Sequence, residues 1–301
     1  MPLLDFAQAW RAYLEAAPRL PPPPPPPKVA PRRIGSVAEI TDEFDLIVLD
    51  AWGVLNLGEA VIPSALEAVA ELRRCGKRLA VLSNDGSADK AMAVAKHRRR
   101  GFDFRSDEII AGVDLLPDAL SEQPAPERLG LIADDPLPFS DLTSRMRRLG
   151  DSTAPYDEVD GFVFLSSDSW SERRQALLRA SLQRHPRPLI VGNPDIVSPG
   201  VEGIYAEPGF YAHRLAAELD IAPLFLGKPY EAIYRRLAGR HPDVARDRVL
   251  CVGDTPQTDM LGGRNAGYRT LLVEDGFCRG RDAIALCRES GIWPDFIAKR
   301  L

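Results

Sequence analysis

LIVLDAWGVL, residues 46–55, decides the fold of this chain. Four apolar residues run directly into Asp50, and a turn containing Gly53 follows at once. A continuous apolar run of this kind is typical of a central strand in a parallel sheet, where both faces of the strand are buried. In open α/β sheets the functional residues lie beyond the carboxyl ends of the strands. Asp50 is therefore a candidate nucleophile, a candidate metal ligand or the cap of the next element.

Strand and helix patterns alternate along the rest of the chain. Pro63 opens a helix that closes at Gly76, as expected from the preferences of these residues for helix ends. The box Ser169…Glu172 predicts the start of a helix that runs to about residue 185. The same patterns predict strands at 45–50, 78–84, 128–133, 161–165, 188–191, 248–254 and 270–273, and further helices at 88–99, 139–149, 208–219, 229–240 and 258–266.

This alternation predicts an α/β fold with two domains. We expect a parallel core sheet built from residues 33–86 and 206–301, with a second α/β domain inserted over residues 87–205. A leader (residues 1–32) contains a short amphipathic helix and seven consecutive prolines, residues 21–27. Such a tract is a stiff spacer, so it either holds the first helix away from the body or docks on an SH3-like partner. Ligands are expected in the cleft between the two domains.

The composition narrows the classes of partner. The chain has 301 residues, 45% of them hydrophobic and 27% charged, with a net charge of −5, which gives no electrostatic case for nucleic acid or an anionic membrane. No apolar segment approaches the roughly 20 residues of a membrane span. The four cysteines form no CxxC pair, so a reducing cytoplasm is expected. A homo-oligomer is compatible with the sequence.

Polar residues follow four of the predicted strands. Asp50 and Asp254 each end an apolar run, and Asp259 lies five residues further on. Two converging carboxylates, a backbone carbonyl and water would suit Mg²⁺, although Asp254 alone could simply cap a helix. Ser83-Asn84 could hold phosphate oxygens or form an ordinary turn. Lys228 could neutralise a group of carboxylates and phosphate oxygens, or lie in solvent.

Together these motifs resemble, in order, the four motifs of the haloacid dehalogenase (HAD) superfamily. The segment 253–259, GDTPQTD, resembles the GDxxxTD motif of the class IIA, NagD-like branch. Asn193-Pro194-Asp195 and Gly227-Lys228-Pro229 are similar to that branch as well. The resemblance covers roughly residues 40–280 and implies a Rossmann-like core with an inserted C2-type cap.

The resemblance also implies roles for individual residues. Asp50 would be the nucleophile that forms an aspartyl-phosphate, with Ser83 on a phosphoryl oxygen and Lys228 offsetting charge. Asn84 and Asn193 would join Ser83 and Lys228 in binding phosphate or substrate. Mg²⁺ would be held by Asp50, the backbone carbonyl of Trp52, Asp254 and Asp259. The expected activity is a phosphatase-type, Mg²⁺-dependent hydrolysis of a small phosphorylated metabolite.

One position departs from the family pattern. The family's phosphatases carry a second aspartate two residues after the nucleophile, and this chain carries Trp52. An indole N–H only donates a hydrogen bond and cannot act as the general acid and base. Three interpretations stay open: a hydrolase with an easily released leaving group or an acid from elsewhere, a hydrolase of carbon–phosphorus or carbon–halogen bonds, or a regulatory module that binds phosphorylated ligands without turnover. The alternative acids or bases are Asp85, Asp195, Glu207 and His213.

Overall fold

The computed structural model describes residues 3–122 and 127–301. None of the helices formed by these residues has both the length and the apolar composition needed to cross a lipid bilayer. The strands are β1 (Leu3–Leu4), β2 (Arg32–Arg33), β3 (Leu46–Leu49), β4 (Asn56–Leu57), β5 (Ala60–Val61), β6 (Arg78–Ser83), β7 (Ile109–Ala111), β8 (Leu129–Ile132), β9 (Arg147–Arg148), β10 (Gly161–Phe164), β11 (Leu189–Val191), β12 (Val197–Pro199), β13 (Ile204–Ala206), β14 (Leu224–Phe225), β15 (Val249–Gly253), β16 (Arg269–Val273) and β17 (Phe296–Ala298). The helices are α1 (Phe6–Ala16), α2 (Pro63–Arg74), α3 (Lys90–Arg99), α4 (Leu116–Glu122), α5 (Ser140–Thr143), α6 (Ala154–Asp157), α7 (Glu172–Arg184), α8 (Pro208–Leu219), α9 (Glu231–Arg240), α10 (Leu261–Asn265) and α11 (Ala283–Ser290).

The core is a seven-stranded parallel sheet with the order β2-β17-β16-β15-β3-β6-β7. Strand β3 lies between β15 and β6, and its four residues are all buried. Ile47 and Leu49 pack with α2 on one face of the sheet, whereas Leu46 and Val48 pack with α9 on the other. The prediction of a central strand buried on both faces is confirmed.

The cap is built on a second parallel sheet, with the order β14-β11-β10-β8-β9. Its own apolar cluster combines Phe162 and Phe164 of β10 with Leu178 of α7 and Tyr211 of α8. The predicted fold class, a Rossmann-like core with an additional α/β unit, is therefore confirmed.

The pairing of strands β7 and β14 differs from the predicted boundaries of the inserted domain. Strand β7, inside the predicted insertion, pairs with β6 of the core, because the chain makes a second β–α–β crossover before it leaves the core sheet. Strand β14, assigned to the core from sequence, pairs with β11 of the cap. We therefore propose a division in which the cap runs from β8 to β14.

Two local predictions are wrong. The helix expected at 139–149 is limited to α5, because Arg147–Arg148 pairs with β8 as an edge strand instead. Helix α7 is capped by Ser171, whose hydroxyl accepts from the backbone N–H of Arg174 at 3.3 Å. Ser169 lies two residues before this cap, and its hydroxyl accepts from the side chain of Arg174 at 3.3 Å instead of a backbone N–H of the helix.

The leader packs against the body of the protein. Strand β1 pairs with β13, and α1 buries Ala9, Trp10, Tyr13 and Ala16. These side chains join a cluster that includes Phe277 from the core. The prediction that the proline tract holds this helix away from the body is wrong, because the apolar face of α1 packs on Phe277, more than 250 residues later in the sequence.

Candidate active site

Asp50 and Asp254 come together because the strands that precede them are neighbours. Strands β3 and β15 pair in parallel with Leu49 beside Val252, so both chains leave the sheet at the same edge. The backbone N–H of Asp50 continues the ladder by donating to the carbonyl of Val252 at 2.9 Å. Asp50 and Asp254 therefore face a common space at the carboxyl end of the core sheet.

Lys228 enters this space from the cap side, three residues after the end of β14. Its Nζ lies 2.6 Å from Asp50 Oδ1 and 2.7 Å from Asp259 Oδ1, and all three side chains are largely buried. Burial alone would lower the pKa of Lys228, but the carboxylates of Asp259 and Asp50 raise it above its ordinary value. The ammonium therefore stays charged and links the two carboxylates.

Asp50, Asp254 and Asp259 form a group of oxygen ligands. One carboxylate oxygen from each lies within 4.8 Å of the others. Burial and the charge of Asp259 raise the pKa of Asp50 to about 8, and burial with the charge of Asp50 raises that of Asp254 well above its usual range. A single ammonium does not balance three carboxylates. The donor set and its charge therefore fit a divalent cation that prefers hard oxygen ligands, such as Mg²⁺.

The carboxylate of Asp254 is enclosed by two glycines. A Cβ atom at Gly53 would lie 1.7 Å from Asp254 Oδ2, and one at Gly276 would lie 2.2 Å from the same oxygen. The backbone N–H of Phe277 donates to Oδ2 at 2.6 Å, and the Thr255 hydroxyl donates to Oδ1 at 2.8 Å. Any larger residue at these two glycines would displace the carboxylate.

Asp259 lies on a π-helical turn over Pro256–Met260 that precedes α10, whereas the sequence predicted an ordinary helix from 258. Its Oδ1 accepts from Lys228, and its Oδ2 accepts from the Thr255 N–H and the Thr258 hydroxyl at 3.3 and 3.2 Å. With both oxygens hydrogen-bonded, Asp259 is placed to hold Lys228 and support a metal bound at Asp50 and Asp254.

Ser83 is the last residue of β6 and Asn84 follows it, on the other side of β3 from β15. The Ser83 hydroxyl oxygen accepts from the Asp85 N–H at 3.1 Å, which leaves its own proton available to a ligand. The Asn84 side chain is committed to the protein: its Nδ2 donates to Asp195 Oδ1 and to the Lys228 carbonyl, and its Oδ1 accepts from the Lys228 N–H at 2.7 Å. The Asn84 side chain thus positions Lys228 and Asp195, and the phosphate contact expected for Asn84 stays a prediction.

A cavity of about 520 Å³ opens between the core and the cap. Trp52, Asp195 and Asn193 line it together with Lys96 of α3 and Leu165 of the cap. The Asn193 amide donates to Glu207 Oε2 at 3.0 Å, and its Oδ1 accepts from the Asp195 N–H at 3.0 Å. Trp52 is half-buried. Because it lines the cavity and lies two residues after Asp50 in the sequence, it connects the cavity to the carboxylate site.

The four alternative acid–base residues lie in different surroundings. Burial raises the pKa of both Asp195 and Glu207 to about 7, and both line the cavity. Burial opposes ionisation of Asp85, but Lys96 and Ser87 outweigh it and lower its pKa. His213 is stacked on Phe225 in the cap, with ring centroids 4.6 Å apart, and burial lowers its pKa to about 4. Asp195 and Glu207 are therefore the two that could exchange protons near neutral pH in this cleft.

Sequence reasoning missed the segment 276–277. Gly276 and Phe277 touch Asp254, yet they lie in a loop after β16 that carries no motif. The single signal available was a glycine next to an aromatic residue, which is common in loops.

Comparisons with known proteins agree with this geometry. Residues 47–139 match a family model described as haloacid dehalogenase-like hydrolase, and residues 225–301 match one described as HAD-hydrolase-like. A glycerol-3-phosphate phosphatase from Gallus gallus is 29% identical over an alignment of 280 positions that covers 84% of this chain and 88% of the relative.

Solved structures share the fold. A structure from Cytophaga hutchinsonii, described as a possible sugar phosphatase of the HAD superfamily, has a TM-score of 0.78 at 21% identity and covers 89% of this chain and 98% of its own. A glycerol phosphate phosphatase from Mycobacterium tuberculosis, in complex with magnesium, has a TM-score of 0.62 at 20% identity and covers 85% and 80%. Since family models match the segments that carry Asp50 and Asp254, and the fold is shared over most of its length, the chain belongs to the haloacid dehalogenase superfamily as a class IIA hydrolase.

Proposed function

We propose that this protein is a Mg²⁺-dependent phosphatase that hydrolyses a small phosphorylated metabolite through an aspartyl-phosphate at Asp50. The observation that carries the proposal is the state of Asp50 Oδ1, which accepts from the Ala51 N–H at 2.7 Å and lies 2.6 Å from Lys228 Nζ. Two donors fix this oxygen and leave Oδ2 to form a bond. The names of relatives, which are phosphatases of glycerol phosphate and sugars, support the substrate class.

Asp50 and Asp254 would hold the metal, with the Trp52 carbonyl as a further ligand and Asp259 in support. When bound, Mg²⁺ supplies positive charge that lets an anionic carboxylate approach an anionic phosphate. Asp50 Oδ2 forms a bond to phosphorus while the phosphorus–oxygen bond of the ester breaks, and the leaving oxygen takes a proton. Water then gives a proton back to the residue that protonated the leaving oxygen, attacks the phosphorus and releases Asp50 and phosphate. The Ser83 hydroxyl donates to a phosphoryl oxygen, and Lys228 balances charge on Asp50.

The proton for the leaving group comes from a residue other than that at position 52. Asp195 and Glu207 are suited to this role because they line the cavity and have pKa values of about 7. A leaving group that needs little protonation would reduce the demand on either residue.

The proposal is tested by assaying p-nitrophenyl phosphate, acetyl phosphate and glycerol phosphate with Mg²⁺ or with EDTA. We expect hydrolysis in the presence of Mg²⁺ and none in EDTA. The Asp50→Asn variant should hydrolyse none of these esters. Asp45→Asn is the matched control, because Asp45 precedes the opposite end of the same strand and pairs with Arg248. Activity that survives Asp50→Asn would refute the nucleophile.

Trp52 motivates a second measurement. Trp52→Asp should raise hydrolysis of glycerol phosphate, whose alkoxide leaving group needs a proton, by about 10²-fold or more, and that of p-nitrophenyl phosphate much less. If neither wild type nor this variant turns over any ester, while ligands bind with Mg²⁺, the protein is a regulatory binding module instead.

A further inference from the structure

The leader is attached to the body along its length. The carbonyls of Pro22 and Pro25 accept hydrogen bonds from Asn265 Nδ2 and Arg264 Nη2, each at 3.2 Å. Trp10 Nε1 donates to Glu289 Oε2 at 2.9 Å. These contacts fix the leader against α10 and α11, so α1 has one defined position on the surface of the core.

Three aromatic side chains of α1 surround one ring of the core. The ring centroid of Phe277 lies 5.2 Å from that of Phe6, 5.6 Å from that of Tyr13 and 6.4 Å from that of Trp10. Phe277 is itself buried. Aromatic pairs at these distances attract one another beyond the effect of their burial. The leader therefore determines where Phe277 lies.

The backbone of Phe277 in turn determines where the Asp254 carboxylate lies. Its N–H donates to Asp254 Oδ2 at 2.6 Å, and the preceding Gly276 leaves no room for a Cβ beside that oxygen. The Cys278 thiol lies 3.5 Å from the Asp254 carbonyl. A shift of this loop would move a hydrogen-bond donor directly bonded to the carboxylate.

Tyr13 is the most deeply buried of the three aromatic side chains of α1. Its side chain is 1% exposed, and burial, with the charges of Asp195 and Asp254, raises the pKa of its hydroxyl well above the ordinary value. The hydroxyl therefore stays neutral. The leader thus reaches the site through Phe277, on which the ring of Tyr13 packs.

We propose that the leader is a functional part of the metal site, in which Phe6, Trp10 and Tyr13 hold Phe277 so that its backbone positions the Asp254 carboxylate for Mg²⁺. This inference rests on the proposed metal site at Asp50 and Asp254. Phe277 and the leader aromatics are positioning residues. They touch neither substrate nor metal and act through Asp254.

The test measures Mg²⁺ binding to the full chain by calorimetry. Phe277→Leu and Tyr13→Leu should each raise the Kd for Mg²⁺ by about tenfold. This is the lower end of the effect expected when a residue that orients a metal ligand is lost. Tyr13→Phe keeps the ring contact and should retain most of the affinity. At saturating Mg²⁺ the kcat should change little, so the defect appears in the metal requirement.

Phe44→Leu is the matched control. Phe44 is equally buried, packs edge-to-face on Phe296 at 6.1 Å and lies at the opposite end of β3. It should lower the melting temperature without changing the Kd for Mg²⁺. An unchanged Kd in Phe277→Leu, or an equal change in Phe44→Leu, would overturn the proposal. If Phe277→Leu does not fold, Tyr13→Leu compared with Tyr13→Phe decides the question in the same way.

Failure of this inference can be distinguished from failure of the proposed function. If wild type binds Mg²⁺ but hydrolyses no phosphate ester, the proposed activity fails and the variants still report on the leader. If wild type hydrolyses esters with Mg²⁺ and the leader variants bind it normally, the activity stands and the role of the leader is rejected.

Discussion

Replacing Lys228 by Met should destabilise the protein in the absence of metal. The substitution removes an ammonium that lies 2.6 Å from Asp50 Oδ1 and 2.7 Å from Asp259 Oδ1, where the three side chains are only 3%, 12% and 4% exposed. Removing one partner of a buried ion pair costs about 3–5 kcal/mol. With an unfolding entropy of about 2.1 cal/mol/K per residue, that cost lowers the melting temperature of this chain by about 5–8 °C.

The loss should depend on pH, because the carboxylates can take up protons when the ammonium is gone. Burial and the charge of Asp259 already raise the pKa of Asp50 to about 8. The loss should therefore be largest at pH 9, where the carboxylates are ionised, and smaller at pH 5.5. Added Mg²⁺ should restore part of the stability at pH 9, since it supplies the missing positive charge.

The assay is thermal unfolding followed by circular dichroism in EDTA at pH 5.5, 7.5 and 9. Lys90→Met is the matched control, because Lys90 pairs with Asp114 and donates to the Ile109 carbonyl at 2.6 Å, away from the site. The decrease in melting temperature caused by Lys90→Met should vary little between pH 5.5 and 9. A Lys228→Met melting temperature within about 1 °C of wild type at pH 9, or an equal loss at every pH, would refute the view of Lys228 as the counter-charge.

Three further predictions follow from the same structure. Mg²⁺ should raise the melting temperature more at pH 9 than at pH 6, because a proton on Asp50, whose pKa is about 8, competes with the metal. Without Mg²⁺, the stability of the protein should fall as pH rises through 8. Equal metal-induced shifts of the melting temperature at both pH values would contradict this. Gly276→Ala places a Cβ 2.2 Å from Asp254 Oδ2 and should weaken Mg²⁺ binding by about tenfold in calorimetry, whereas Gly239→Ala, with no atom within 4 Å of its Cβ, should not. Burial lowers the pKa of His213 to about 4, so the stabilising contribution of the neutral ring is present above pH 6.5 and is lost as pH falls toward 4. In urea unfolding, His213→Phe should therefore lose less stability over that pH range than wild type does. Equal losses would reject the role of this ring.

The carboxylate site could be predicted in large part from the sequence. Asp50 and Asp254 each end an apolar run, and parallel strands bring their carboxyl ends to one edge of a sheet. The approach of Lys228 could be expected only through the family resemblance, because the strand before it belongs to the cap. The roles proposed for Ser83 and Asn193 stay predictions, as does a cytoplasmic location.

The rest depends on contacts between distant parts of the chain. The apolar face of α1 is visible in the sequence, but its partner Phe277 lies in a loop without a motif. The amide of Asn84 resembles an ordinary turn residue, and its hydrogen bonds to Lys228 and Asp195 cross more than 100 residues. The segment 139–149 has a helical pattern, yet pairing of Arg147–Arg148 with β8 overrides it.

The attachment of the cap has a mechanical consequence. Strand β11 leads into Asn193 and Asp195, and β14 leads through Gly227 into Lys228, so both connections from the cap sheet end at the site. Asn84 of the core binds both of them, to Asp195 at 2.8 Å and to the Lys228 backbone at 2.7 and 2.9 Å. A rotation of the cap would act as a lever on the Lys228 ammonium and change its distance from Asp50. The positive charge that faces Asp50 is therefore tied to the position of the cap.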